Sequence, residues 1–185
     1  VVGVTMRLWS APGCEEENRC CTPQTRELAA QLAEQLGIPF HLLDAQQAFR
    51  QAVVQRFLDG YSRGDTPNPC VYCNRYLKWD YLWQFAQSIG AEAIATGHYA
   101  RLRRSTDGTY ELWKGVDATK DQTYFLSLLT QQHLAHTLFP LGEYTKVEVR
   151  QIAHARQLPA ADAPESQDLC FLGKRDYRDF LREYA

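Results

Sequence analysis

TPQTRELAAQLAEQLGIPFHLLD, residues 22–44, predicts a helix, its stop and a strand in direct succession. Thr22 can cap the helix, and Pro23 suits its first position, where a backbone N–H has no partner to lose. Leu28, Leu32 and Leu36 recur every four residues and so fall on one face. Gly37 then stops the helix, and Pro39 follows. Ile38, Phe40 and Leu42 alternate, which is the period of a strand. Upstream, Val1 to Trp9 is a β-rich apolar run, so residues 1–44 read strand–helix–strand.

The same grammar continues downstream. Asp44 with Gln47 resembles a capping box, ahead of Ala48, Phe49, Ala52, Val53 and Phe57 on one helix face. Turn chemistry occupies Gly60 to Cys73, with Pro67 and Pro69 two residues apart. A helix is predicted from about Asn74, through Leu77, Tyr81, Leu82, Phe85 and Ile89, to a stop at Gly90. Ala91 to Thr96 reads as a short buried strand running into Gly97-His98. Residues 99–104 and 109–114 form a predicted hairpin around Asp107-Gly108. Thr145 with Glu148 opens a further helix. Ser166 to Leu172 reads as extended, and Tyr177, Phe180, Leu181 and Tyr184 mark a last helix. Strands alternating with helices argue for βαβ units and a parallel sheet, hence an α/β class. Ligands of such sheets sit at the carboxyl ends of the strands, which directs attention to the loops after Trp9, Leu43 and Thr96.

Composition narrows the classes. The 185 residues are 45% hydrophobic and 23% charged, which excludes a disordered tail, a collagen-like fibre and a coiled coil. Apolar runs are too short to span a membrane. A net charge of −2 gives no global attraction for nucleic acid. Locally, Arg101, Arg103, Arg104, Lys114 and Lys120 outnumber Asp107, Glu111 and Asp117, a pattern that suits a solvated face or a phosphate contact equally. Six cysteines, at 14, 20, 21, 70, 73 and 170, are too few and too uneven for a secreted disulfide scaffold. The expectation is a cytoplasmic protein whose cysteines do chemistry or bind metal.

Four motifs carry that expectation. Thr66-Pro67-Asn68-Pro69-Cys70-Val71-Tyr72-Cys73-Asn74-Arg75 places two cysteines three apart just before a predicted helix. A helix N-terminus favours a thiolate, and Arg75 and Lys78 would add positive charge. The pair reads as a redox or nucleophilic set, or as half of a structural zinc site, although no second CxxC or His pair stands at finger spacing. Ser166-Gln167-Asp168-Leu169-Cys170-Phe171 holds a single cysteine in an apolar context, where a small buried hydrophobe is the plainer reading. Ala95-Thr96-Gly97-His98-Tyr99 follows a strand, and its Gly allows close approach of a ligand; an ordinary turn reads as well. In Lys120-Asp121-Gln122, Lys120 can meet phosphate and Gln122 a base or sugar edge, or the segment simply caps a helix. Cys14, Cys20 and Cys21 receive no role.

Taken in order, GVTMRLW (3–9), TPNPCVYCNRYLKW (66–79), ATGHYAR (95–101), GVDATKDQTYFL (115–126), LFPLGEYTKVEVR (138–150) and SQDLCF (166–171) resemble the tRNA-specific 2-thiouridylases, the MnmA/TrmU family. The resemblance implies an adenine nucleotide alpha hydrolase-like (PP-loop ATPase) fold. It implies a nucleotide-binding α/β catalytic domain over 1–135 and a helical connecting region over 136–185 with the second catalytic cysteine. The implied reaction is ATP-dependent 2-thiolation of the wobble uridine of tRNA, with Mg2+ accompanying ATP and a sulfur-relay protein as donor. By match of motif, Cys73 takes the nucleophile position and Cys170 the persulfide position, and the two can join in a disulfide as sulfur is delivered. Met6 and Gly97 match nucleotide contacts; Asn68, Pro69 and Cys70 match the segment touching the target base. His98, Lys120, Asp121 and Gln122 match tRNA-contacting positions.

Two departures qualify the match. Many relatives carry Asp where this chain has Cys70. Cys70, Cys73 and Cys170 then make a three-cysteine set, which in related thiolating enzymes holds a four-iron–four-sulfur cluster, so a cluster route stands beside the persulfide route. The family's SGGxDS pyrophosphate loop lies upstream of the GVTM strand, and its β-domains lie downstream of the Cys170 segment. The sequence therefore reads as a fragment truncated at the first strand. Expected consequences are weak ATP binding, no adenylation by the 185 residues alone, and association through the strand of Val2, Val4 and Met6. Rival classes are a zinc-stapled RNA-binding module and an N-type ATP pyrophosphatase acting on a small molecule.

Overall fold

A computed structural model describes residues 1–14, 22–163, 169–173 and 175–184. In chain order, β1 (Gly3–Arg7) is followed by α1 (Pro23–Gln35) and β2 (Phe40–Asp44). Next come α2 (Gln46–Phe49), a π-helical segment Arg50–Val54 and α3 (Gln55–Ser62), without a break between them. A second uninterrupted helical run comprises α4 (Pro69–Tyr72), a π-helical segment Cys73–Tyr81 and α5 (Leu82–Ser88). Then follow β3 (Ile94–Ala95), β4 (Ala100–Arg104), β5 (Tyr110–Lys114), a 3-10 turn Thr123–Leu126, α6 (Gln131–Leu134) and β6 (Thr137–Leu138). α7 (Lys146–Ala155), a 3-10 turn Cys170–Leu172 and α8 (Tyr177–Tyr184) complete the described chain. Two compact units result: Val1–Pro69 with Gln157–Ala185, and Cys70–Arg156.

In the first unit, β1 and β2 pair in parallel, with Gly3 opposite Phe40 and Arg7 opposite Asp44. α1 makes the crossover. The Thr22 hydroxyl accepts from the Thr25 N–H at 3.1 Å, satisfying one of the donors a helix start leaves over. At the other end Gly37 takes φ +64°. Its N–H donates to Glu34 O, and the Ile38 N–H donates to Ala33 O, both at 3.0 Å, which closes the last turn. Asp44 does not make the expected capping box. Its Oδ1 accepts from the Gln46 N–H at 3.1 Å, a turn two residues long, because the chain enters the helix directly from the strand. The core of this unit is aromatic. Phe49, Phe57, Phe171 and Phe180 are all buried, and the Phe171 ring lies 5.9, 5.5 and 5.5 Å from Phe49, Phe57 and Phe180.

In the second unit, β3 and β6 pair in parallel and β4 and β5 form the predicted antiparallel hairpin. Its core gathers Trp79, Ala100 and Leu126 with Leu112, Leu129 and Phe139. The Trp79 indole N–H donates to the Thr137 hydroxyl at 2.6 Å, which donates to His133 O at 2.7 Å, so these two buried donors are satisfied. Gly142 is required by this packing: a Cβ there would stand 2.0 Å from Ala100 O. The predicted start of the helix at Asn74 is displaced to Pro69, because proline at a first helical position extends the helix over both cysteines. The expected extended stretch over 166–172 is corrected in its described part. Cys170–Leu172 is a 3-10 turn, since Phe171 must swing into the aromatic core, and Ser166, Gln167 and Asp168 lie outside the described residues.

Candidate functional site

Cys70 and Cys73 sit three apart at the start of one helical run, so they share a face. Cys70 is exposed and Cys73 half-buried, and both carry thiols. Pro69, before them, is buried in the first helical turn, and Asn68, which precedes the helix, is half-buried. The run then becomes π-helical, as the Leu82 N–H donates to Leu77 O, five residues back. Such segments are uncommon and concentrate at functional sites. Arg75, expected to support a thiolate, is drawn to Asp80, which also lies 3.3 Å from His133 Nε2.

Asn74, beside Cys73, was not singled out by the sequence. It is 3% exposed, and its Nδ2 donates to Phe125 O at 2.8 Å. No pattern in the sequence marks it, because an Asn in the first turns of a helix is ordinarily solvated. Its bond ties the cysteine helix to the segment that follows Lys120-Asp121-Gln122. There Gln122 Oε1 accepts from the Tyr99 N–H at 3.0 Å, and the Gln122 N–H donates to Tyr99 O at 3.2 Å. Asp121 accepts from the Thr123 N–H and hydroxyl, opening the 3-10 turn. Lys120 is half-buried.

Gly97 is exposed, and a Cβ there would meet only Leu141 Cδ1 at 3.6 Å, so a ligand can come close to this backbone. His98 behaves otherwise. It is 8% exposed, lies 5.8 Å from the Trp79 ring and 6.2 Å from the Phe139 ring, and shares a 2.8 Å hydrogen bond with the Thr96 hydroxyl through Nδ1. Burial, assisted by Lys78, lowers its pKa to about 3. The ring is therefore neutral at physiological pH and offers no cation to phosphate.

Met6 and Cys170 belong to the first unit. Met6 is half-buried on β1, opposite Leu43 on β2. Cys170 is half-buried and precedes Phe171, which is fully buried and whose carbonyl accepts from the Ala11 N–H at 3.3 Å. The thiol is thus carried by a rigidly anchored neighbour. Cys14 is buried, while Cys20 and Cys21 lie outside the described residues. Among the described residues no group of three or more His, Cys, Asp or Glu gathers as a metal site. The four-iron–four-sulfur set of Cys70, Cys73 and Cys170 and the zinc staple therefore gain no support. Among the described residues no helix is long and apolar enough to cross a membrane.

Each unit pairs two strands in parallel, β1 with β2 and β3 with β6, and with the helices around them this defines an α/β class. A family model described as tRNA methyl transferase HUP domain matches residues 1–174. The chain belongs to that family and has the HUP, adenine nucleotide alpha hydrolase-like, fold. It is 47% identical over 184 residues to a tRNA-specific 2-thiouridylase MnmA of Chloroflexus aurantiacus, covering 98% of this chain and 51% of the relative. Similar proteins of the same name occur in Carboxydothermus hydrogenoformans, 48% identical over 99% of this chain and 51% of the relative, and in Leptospira interrogans, 43% identical over 99% and 49%. The chain spans about half the length of the curated relatives it matches.

Proposed function

We propose that this chain is part of an enzyme that thiolates the wobble uridine of tRNA at C2. The observation that carries the reading is the likeness, over nearly the whole chain, to proteins named for that activity, in a chain that also holds Cys73 and Cys170.

The chemistry needs three steps. A pyrimidine carbonyl oxygen is a poor leaving group. It attacks the α-phosphate of ATP, pyrophosphate departs, and the oxygen becomes part of AMP. The terminal sulfur of a persulfide on Cys170 then adds to C2, and AMP leaves with the oxygen. Cys73, as thiolate, attacks the inner sulfur of that persulfide, so the C2–S bond is retained on the base and a Cys73–Cys170 disulfide forms. A cellular thiol reductant restores the pair, and a sulfur-relay protein recharges Cys170. Thiolates and persulfides are strong nucleophiles, which makes both sulfur steps feasible.

Met6 and Gly97 are assigned to the nucleotide, Asn68, Pro69 and Cys70 to the target base. Exposure of Cys70 and openness at Gly97 support those assignments. Lys120 and Asp121 are assigned to tRNA contact. For His98, burial supports a role in holding the Gly97 loop rather than in touching phosphate. Mg2+ would arrive on the phosphates of ATP. No protein cage for it is gathered among the described residues. We place this activity in the cytoplasm.

Incubating the complete gene product with ATP and tRNA transcripts tests the adenylation step. AMP release is expected with a wobble uridine and absent when that base is cytidine. AMP formation indifferent to the wobble base contradicts the proposal.

A further inference from the structure

We propose that Asn74 and Gln122 are positioning residues that fix Cys73 against the Gly97–His98 loop through the short segment 122–125. The kinetic part of this proposal rests on the thiolation reading above; the structural part does not.

The bonds form a chain within one unit. Asn74 is adjacent to Cys73 and buried, and its Nδ2 donates to Phe125 O at 2.8 Å. The Phe125 N–H donates to Gln122 O at 3.1 Å. Gln122 then grips Tyr99 twice, through its Oε1 on the Tyr99 N–H and its own N–H on Tyr99 O. Tyr99 follows His98 directly, and the Ala100 N–H donates to His98 O at 3.0 Å, which continues the path into the Gly97 loop. Leu126, next to Phe125, is buried in the core with Trp79, so the strut has a fixed base.

Gln122 can use one amide for two purposes. Its oxygen accepts from the Tyr99 N–H with one lone pair, and the second lone pair and the NH2 group remain for a base or sugar. Gln122 can therefore hold the loop and meet tRNA with the same amide. Misplacing a nucleophile by about 1 Å can cost around 100-fold in rate, so a strut that sets such a distance acts on kcat rather than on binding.

Amide hydrogen exchange and steady-state thiolation, both on the complete gene product, test this together. In the unaltered chain the Tyr99 amide is expected to exchange slowly; exchange at the rate of an open amide overturns the proposal whichever variants fold. Gln122→Leu removes the acceptor and is expected to speed Tyr99 exchange at least about tenfold. In turnover it lowers kcat by about 10- to 100-fold. Gln122→Glu keeps an acceptor oxygen and is expected to lose less kcat than Gln122→Leu. Asn74→Asp, which loses the donor, is expected to follow Gln122→Leu. Unchanged Tyr99 exchange in Gln122→Leu overturns the proposal, as does a raised KM with kcat preserved. Should the unaltered protein not thiolate tRNA, the function reading fails, and Tyr99 exchange alone decides the strut.

Discussion

Burial of His98 between Trp79 and Phe139 removes its charge, and that has a consequence for stability. Its pKa stands at about 3 in the folded chain, against an ordinary 6.5. Below pH 6.5 the unfolded chain takes up a proton that the folded chain refuses. The stability associated with neutral His98 is thus complete above pH 6.5 and is lost as pH falls toward 3. At about 1.4 kcal/mol per unit, the loss amounts to a few kcal/mol. His133 adds in the same direction, since burial and then Arg75 lower its pKa while Asp80 opposes them. Urea midpoints measured from pH 7.5 to 4.5 should fall with acidification in the unaltered chain and fall less steeply in His98→Gln. Equal slopes would show that His98 does not carry the effect.

Elements differed in how openly the sequence announced them. α1 was legible because its cap and glycine stop are local, and both are present as read; the leucine face was less so, since Ala33 is the buried residue and Leu36 is exposed at the C-cap. α7 was legible for the same reason. The Thr145 hydroxyl accepts from the Glu148 N–H at 3.3 Å, while the Glu148 carboxylate accepts from the Thr145 N–H at 2.7 Å and from the Thr145 hydroxyl at 2.8 Å, and the two bonds to the carboxylate hold its pKa below the usual range. Because α7 buries none of its residues, tertiary packing cannot compensate for a lost cap. Thr145→Ala is expected to cost about 1 kcal/mol, read as a lower urea midpoint with an unchanged slope. By contrast, the start of the cysteine helix at Pro69 and the π-helical run after it were not legible. Whether proline opens a helix or belongs to the preceding turn depends on the packing that follows it. The 3-10 turn at Cys170 was hidden for a similar reason: an alternating pattern could not reveal that Phe171 enters an aromatic cluster with Phe49, Phe57 and Phe180.

At the scale of the molecule, Cys73 falls in the unit 70–156, while Cys170 falls in the unit that combines residues 1–69 and 157–185. The motifs containing both cysteines were visible as sequence blocks, and the family membership agrees with that reading. Asn74 and the double bond between Gln122 and Tyr99 were not visible, since hydrogen bonds across 51 and 23 residues leave no periodic trace. The proposed reaction requires both sulfurs in every turnover. The most direct measurement is 2-thiouridine formed per turnover by the complete gene product, with Cys73→Ala and Cys170→Ala run beside it and the sulfur-charged, unaltered enzyme examined by non-reducing mass spectrometry after one turnover. The account predicts loss of thiolation in both variants and a Cys73–Cys170 disulfide in the unaltered enzyme. Wild-type turnover in either variant would contradict it.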